Sequence, residues 1–121
     1  MRVLLVDDEE ELVSTLSERL DLRGIESDWV TNGEDGLRLA LENDYDWIVL
    51  DMKMPGIGGL ETLQAIKRRR PSTKIIVMTG HSSSQDREAG LRAGAQHYLL
   101  KPIDVEDLIA RMHQVQETEV S

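Results

Sequence analysis

A chain of 121 residues has room for one domain and none for a second. Its 14 Lys and Arg against 23 Asp and Glu give a formal charge of −9, so the phosphate backbone of a nucleic acid or an anionic membrane would repel it, and direct binding to either is not expected. Cys and Phe are absent and the aromatic residues are two Trp and two Tyr, which excludes disulfides, thiolate metal sites and platforms for stacking bases; with neither an apolar membrane span nor a signal-peptide pattern after Met1-Arg2, the expected location is cytoplasmic.

Strand and helix patterns alternate along the chain. Arg2 to Val6 is a short Val/Leu run, and Asp7-Asp8-Glu9-Glu10-Glu11 leads from it into a helix carrying Leu12, Val13, Leu16 and Leu20 through Arg23. Gly24 suits the position just past that helix. Ile25 to Val30 reads as a second strand, and Thr31-Asn32-Gly33 supplies a turn and an N-cap for a helix reaching Asn43. The apolar run Ile48-Val49-Leu50 within Asp46 to Leu50 has the β-branching of a strand buried on both faces, with Asp51 where it emerges and Pro55-Gly56 in the loop beyond. After Gly58-Gly59 a helix spans about Leu60 to Arg69 and stops before Pro71; Lys74 to Met78 is a fourth buried strand ending in Thr79-Gly80. Ser82-Ser83-Ser84 offers caps for a helix to Ala93, with Gly94 at its end. Inside that helix Gly90 costs about 1 kcal/mol against Ala, and so either loosens it or packs closely on a neighbour. Gln96 to Leu100 is a fifth strand running into Lys101-Pro102, and Asp104 caps a last helix through about Gln116. Five such repeats predict a doubly wound α/β domain, a parallel sheet covered on both faces and joined by right-handed crossovers.

Polar residues gather at the carboxyl ends of the predicted strands, where ligands of open α/β sheets bind. Asp7 and Asp8 follow the first strand, Asp51 the third, Thr79 the fourth and Lys101 the fifth. A lone strand-end Asp is ordinarily a turn or capping residue, and Glu9 to Glu11 suit a solvated, acidic helix start. Three carboxylates brought together repel, however, and a cation among them relieves that repulsion. Without Cys, and without His at ligand spacing, the donors are oxygens, which favours Mg2+ with several waters retained. A lysine and a hydroxyl beside such a metal suit a transferring phosphoryl group, with Asp51 as its nucleophile and the Lys101 ammonium directed to the phosphoryl group rather than to the metal.

Over nearly its whole length the sequence resembles the receiver domains of two-component response regulators. The resemblance rests on Asp7-Asp8, Asp51-Met52-Lys53-Met54-Pro55-Gly56, Thr79-Gly80, and Gly94-Ala95 leading through Tyr98 to Lys101-Pro102. It implies a flavodoxin-like five-stranded sheet of order 2-1-3-4-5 with five helices, a receiver domain over residues 1–117, and 118–121 as a tail or the start of a linker. It implies that Asp51 accepts a phosphoryl group from a sensor histidine kinase or phosphotransfer protein, that Asp7, Asp8, Asp51 and the main-chain carbonyl of Lys53 hold Mg2+, and that Lys101 and Thr79 assist. Such a domain is not an enzyme acting on a separate substrate, although it assists its own phosphorylation and dephosphorylation. Thr79 and Tyr98 would be the switch, altering the surface of the fourth helix, fifth strand and fifth helix for an effector or for homodimerisation, with transcription control as the output if the domain is part of a longer protein. A cis Lys101–Pro102 bond is implied too. Departures concern tuning: Ile103 stands where Phe is frequent, Gly58 where Asp is frequent, and Lys53 and His81 occupy positions tied to phosphoryl lifetime. Two rivals fit less well. A haloacid-dehalogenase-like phosphatase needs a second acid where Lys53 stands, and the acidic run after the first strand would repel the phosphate of FMN.

Overall fold

The computed structural model describes residues 1–80 and 84–120, with side chains described through residue 113. Strands β1 (Arg2–Val6), β2 (Glu26–Val30), β3 (Trp47–Asp51), β4 (Lys74–Thr79) and β5 (His97–Leu100) alternate with helices α1 (Glu10–Asp21), α2 (Gly33–Glu42), α3 (Gly59–Arg69), α4 (Ser84–Arg92) and α5 (Val105–Val120). The sheet is wholly parallel in the order β2-β1-β3-β4-β5, as the resemblance implied. The residues expected to cap the fourth helix, Ser82 and Ser83, lie outside the described residues, as does His81.

Local chemistry accounts for the element boundaries. The Asn32 side chain accepts the Asp35 N–H at 2.8 Å, and that of Asp104 accepts the Glu106 N–H at 3.0 Å, so α2 and α5 both open on the caps the sequence offered. After α1, Gly24 takes φ +76° and donates to Asp21 O while Ile25 donates to Leu20 O, the paired pattern of a Schellman ending. That second bond draws Ile25 out of β2, which therefore starts one residue later than expected. Asp46 likewise stays outside β3, its carboxylate accepting the Arg2 N–H at 2.7 Å. Asp51 is the last residue of β3 rather than the first beyond it. The Lys101–Pro102 bond is cis.

The strands carry two cores. Val3, Leu5, Trp47, Val49, Ile76 and Met78 pack with residues of α1 and α5; Leu4, Val6, Ile48, Leu50, Ile75 and Val77 pack with those of α2 and α3. Every residue of β3 is buried, which explains why its sequence lacks the alternation of a half-exposed strand. Gly90 resolves in favour of close packing. It is buried, and a methyl group there would stand 3.1 Å from Val77 Cγ2 and 3.8 Å from Met52 Sδ, so α4 needs the missing side chain to lie against the sheet.

Pairing of Asp51 with Met78 and of Thr79 with Leu100 brings the ends of β3, β4 and β5 to one edge. Gly59, the first residue of α3, is in direct contact with that edge, since a Cβ added there would overlap the Asp51 carbonyl oxygen and crowd the Met52 backbone. Gly59→Ala should therefore displace the β3–α3 loop and cost about 1–3 kcal/mol, the usual toll of overpacking. Urea unfolding measures this, and a loss no larger than that of an exposed helix substitution would contradict the contact.

Candidate functional site

Asp7 directly follows β1 and is fully buried; Asp51 closes β3 and is 3 % exposed; Asp8, between Asp7 and α1, is exposed. The two buried carboxylates, Asp7 and Asp51, at the ends of neighbouring strands, are among the few buried polar groups of the described residues. Carboxylate oxygens of Asp7, Asp8 and Asp51, one from each, all lie within 4.8 Å of one another. This is the cluster the sequence placed at the strand ends.

Each buried acid is held from a different side. Asp7 Oδ1 accepts the Glu9 N–H at 2.9 Å, and Asp51 Oδ1 accepts the Lys53 N–H at 3.3 Å, which sets the peptide of residue 53 at the rim of the cluster. Lys101 lies just past β5 with its side chain 13 % exposed. Its Nζ stands 2.7 Å from Asp7 Oδ2, 2.8 Å from Glu9 Oε1 and 3.4 Å from Asp51 Oδ2. The lysine was expected to face a phosphoryl group and not the metal position. Here its ammonium is the cation that the carboxylates share, the one positive charge among the described residues that stands within 4 Å of both buried acids.

Burial pushes the Asp51 carboxyl up to about 6, the Asp7 charge adds to the rise, and the Lys53 N–H and Lys101 only partly oppose it. Asp7 is also raised, again by burial first, against the pull of Lys101 and the Glu9 N–H. Lys101 itself is disfavoured as a cation by burial, yet its bonds to Asp7 and Glu9 and the Asp51 charge hold its pKa above the ordinary lysine value. Donor chemistry therefore suits a hard divalent cation. Three oxygen donors converge, two of them in a setting that resists ionisation, and a second positive charge would relieve both.

Thr79 closes β4 and is fully buried, its carbonyl accepting the Lys101 N–H at 2.8 Å. Tyr98 is paired with Val77 in the β4–β5 register and packs, half-buried, against the α2–α3 core. Strand alternation puts Thr79 and Tyr98 on the same face of the sheet, two steps apart. Met52 continues from Asp51 into that core. The remaining residue of the motif, Lys53, reaches α4, with Nζ 3.5 Å from Asp86 Oδ2. All the candidate residues thus meet at one edge of the sheet, Tyr98 one layer behind.

Two participants escaped the sequence reading. Glu9 looked like one of three helix-starting glutamates, and nothing in the local pattern separates it from Glu10 or Glu11. Asp86 had no signal, since its pairing with Lys53 depends on how α4 lies over the β3–α3 loop.

The edge of a 2-1-3-4-5 sheet carrying this acid cluster, lysine and threonine is the arrangement of a receiver. Residues 3–113 match the family model described as the response regulator receiver domain, and the chain belongs to that family. It is 40 % identical over 114 residues to the response regulator ArlR of Staphylococcus aureus, an alignment covering 94 % of this chain and 52 % of that protein. The chain thus spans about half the length of the curated relatives it matches. Among solved structures, a CheY-like receiver domain protein of Methanospirillum hungatei superposes with a TM-score of 0.91 at 29 % identity, covering 98 % of this chain and 97 % of the other. A Burkholderia pseudomallei response regulator, solved with a phosphorylated aspartic acid, a calcium ion and citrate, gives 0.86 at 29 % identity, covering 98 % and 72 %. No helix among the described residues is long and apolar enough to cross a membrane.

The raised Asp51 pKa has a consequence for stability. The folded state holds this proton more tightly than the unfolded chain, whose carboxyl titrates near 3.8, so stability falls as pH rises between 3.8 and about 6, and the whole cost is present above that. Asp51→Asn should therefore stabilise the metal-free domain at pH 7.5 by up to about 2–3 kcal/mol, a gain roughly halved at pH 5. Denaturant unfolding in the presence of a chelator checks it, and an Asn variant less stable than the parent at pH 7.5 would contradict the electrostatic account.

Proposed function

We propose that residues 1–117 are a phosphorylation-operated receiver in a two-component phosphorelay, with Asp51 the acceptor, and 118–121 a tail or the start of a linker. The observation that carries this reading is the meeting of Asp7, Asp8 and Asp51 oxygens within 4.8 Å with the Lys101 ammonium among them. The phosphorylated aspartic acid and the calcium ion of the Burkholderia relative support it by analogy. Asp7, Asp8 and Asp51, with the main-chain carbonyl of Lys53, would hold Mg2+. When bound, the metal neutralises the carboxylates and draws charge from the incoming phosphoryl oxygens.

The donor is a phosphohistidine of a sensor kinase or phosphotransfer protein. An Asp51 Oδ attacks phosphorus, the bond from phosphorus to the histidine nitrogen breaks, and the electron pair of that bond leaves with the imidazole. Asp51 is nearly enclosed, so it meets the donor along one open direction and little water competes. Lys101 leaves its carboxylates for a phosphoryl oxygen as these gain other partners. Thr79, the buried hydroxyl of the same edge, turns to another phosphoryl oxygen, and the strand-end shift opens space that Tyr98 fills from behind. The α4–β5–α5 surface changes with it and reports the state to an effector or to a second copy. A population shift of each tenfold needs about 1.4 kcal/mol of differential stabilisation.

Incubation with acetyl phosphate and Mg2+ should add one phosphoryl group by intact mass, and Asp51→Asn should take none. A persistent adduct on the Asn variant assigns the acceptor elsewhere. With beryllofluoride as the phosphoryl mimic, backbone NMR shifts should spread from residues 51–53 through Thr79 to Tyr98 and α4. Shifts confined to residues near Asp51 would remove Thr79 and Tyr98 from the switch. Lys101→Ala should still accept the phosphoryl group, more slowly, yet lose most of the response at Tyr98.

A further inference from the structure

Glu9 occupies the N-cap position of α1, where Ser, Thr, Asp or Asn would ordinarily bond the first turn, yet its side chain makes no cap bond. It reaches instead across the sheet edge to a residue 92 positions later in the chain, with Oε1 2.8 Å from Lys101 Nζ. The backbone of the same residue holds Asp7 through its N–H, at 2.9 Å. Glu9 therefore grips both partners of the shortest ion pair in the site, the 2.7 Å contact of Lys101 with Asp7. A lysine ammonium carries three donors, and here they face three carboxylates. Two of these, Asp7 and Asp51, belong to the cluster able to hold a cation, whereas Glu9 does not.

We propose that Glu9 is a positioning residue that clamps the Lys101 ammonium in the place a divalent cation would take, and so sets how readily that cation displaces the lysine. The proposal rests on the reading of Asp7, Asp8 and Asp51 as the cation site. Ammonium and metal compete for the carboxylates of Asp7 and Asp51. Without Glu9 the ammonium keeps one short bond rather than two, and it yields sooner. As an exposed partner, Glu9 adds little to the stability of the fold. Its influence is on which cation the cluster holds.

Two effects of removing Glu9 run in opposite directions. Loss of a nearby negative charge weakens Mg2+ binding through space, while loss of the clamp strengthens it. Glu9→Asp separates them, because it keeps the charge but shortens the reach by one methylene. The experiment is a set of Mg2+ titrations, followed by backbone NMR shifts of residues 51–53, on the parent, Glu9→Asp, Glu9→Gln, Lys101→Met and the double variants. In the parent background Glu9→Asp should tighten Mg2+ binding roughly threefold, within the range an exposed ion pair carries, and Glu9→Gln should fall between. With Lys101→Met, Glu9→Asp should have no effect and Glu9→Gln should only weaken binding. Equal effects of each Glu9 variant with and without the lysine would overturn the clamp and leave Glu9 as background charge. Weaker binding in Glu9→Asp only when the lysine is present would also overturn it, since Glu9 would then be holding the lysine clear of the metal. If Mg2+ fails to perturb residues 51–53 even in the Lys101→Met protein, the cation-site reading itself has failed. A Glu9 effect that ignores Lys101 at normal Mg2+ affinity tells against the clamp alone.

Discussion

Two carboxylates that the fold will not let apart are the constraint on which the rest of the site depends. Asp7 and Asp51 emerge from adjacent central strands and are buried in a protein whose net charge is already strongly negative. Burial alone disfavours two such charges, and their proximity adds to the cost. Lys101 offsets part of this, but a single ammonium shared among three acids leaves the Asp51 carboxyl well above the ordinary range. The site is thus held under electrostatic tension in its cation-free form. Ligands bearing positive charge, or chemistry that changes the Asp51 carboxylate, act on that tension directly.

The rest of the architecture keeps those ends from relaxing. β3 is buried along its whole length, α3 begins against the Asp51 carbonyl at a residue with no side chain, and Gly90 lets α4 press on Val77 and Met52. The aliphatic core behind the cluster is therefore continuous from Met52 through Val77 to the face where Tyr98 packs. A displacement at Asp51 would be passed on through this packing, because close-packed interiors transmit strain. Lys53, by contrast, is exposed and meets α4 through an ion pair with Asp86, whose side chain is partly buried.

Much of this was legible in the sequence, for physical reasons that differ by residue. The apolar runs of β1, β3 and β4 are buried on both faces, so composition alone marks them. Asn32 and Asp104 announce helix starts because their side chains bond the first turn themselves. Asp7, Asp8, Asp51, Thr79 and Lys101 could be gathered at one edge because parallel strands with helical crossovers all end on the same side. What stayed hidden depends on geometry between elements. Gly90 could loosen or pack, and only the position of α4 decides. Glu9 differs from Glu10 and Glu11 solely in the direction its side chain takes from the start of α1. The Lys101 ammonium was expected to wait for a phosphoryl group. Its resting place among the carboxylates follows from the pull of buried charge, which no spacing of residues records.

The bond between Glu9 and Lys101 bridges 92 positions, and with it the site joins the first strand to the loop after the last. A nascent chain exposing Asp7, Asp8 and Asp51 has the acids of the cluster, yet lacks the ammonium that balances them until β5 has been added to the sheet's edge. Contacts of this separation form late, since closing a long loop is entropically costly before it is rewarded. Completion of the charge balance therefore coincides with completion of the sheet, and a partly made domain carries the acids of the site without their counter-charge until its last strand is in place.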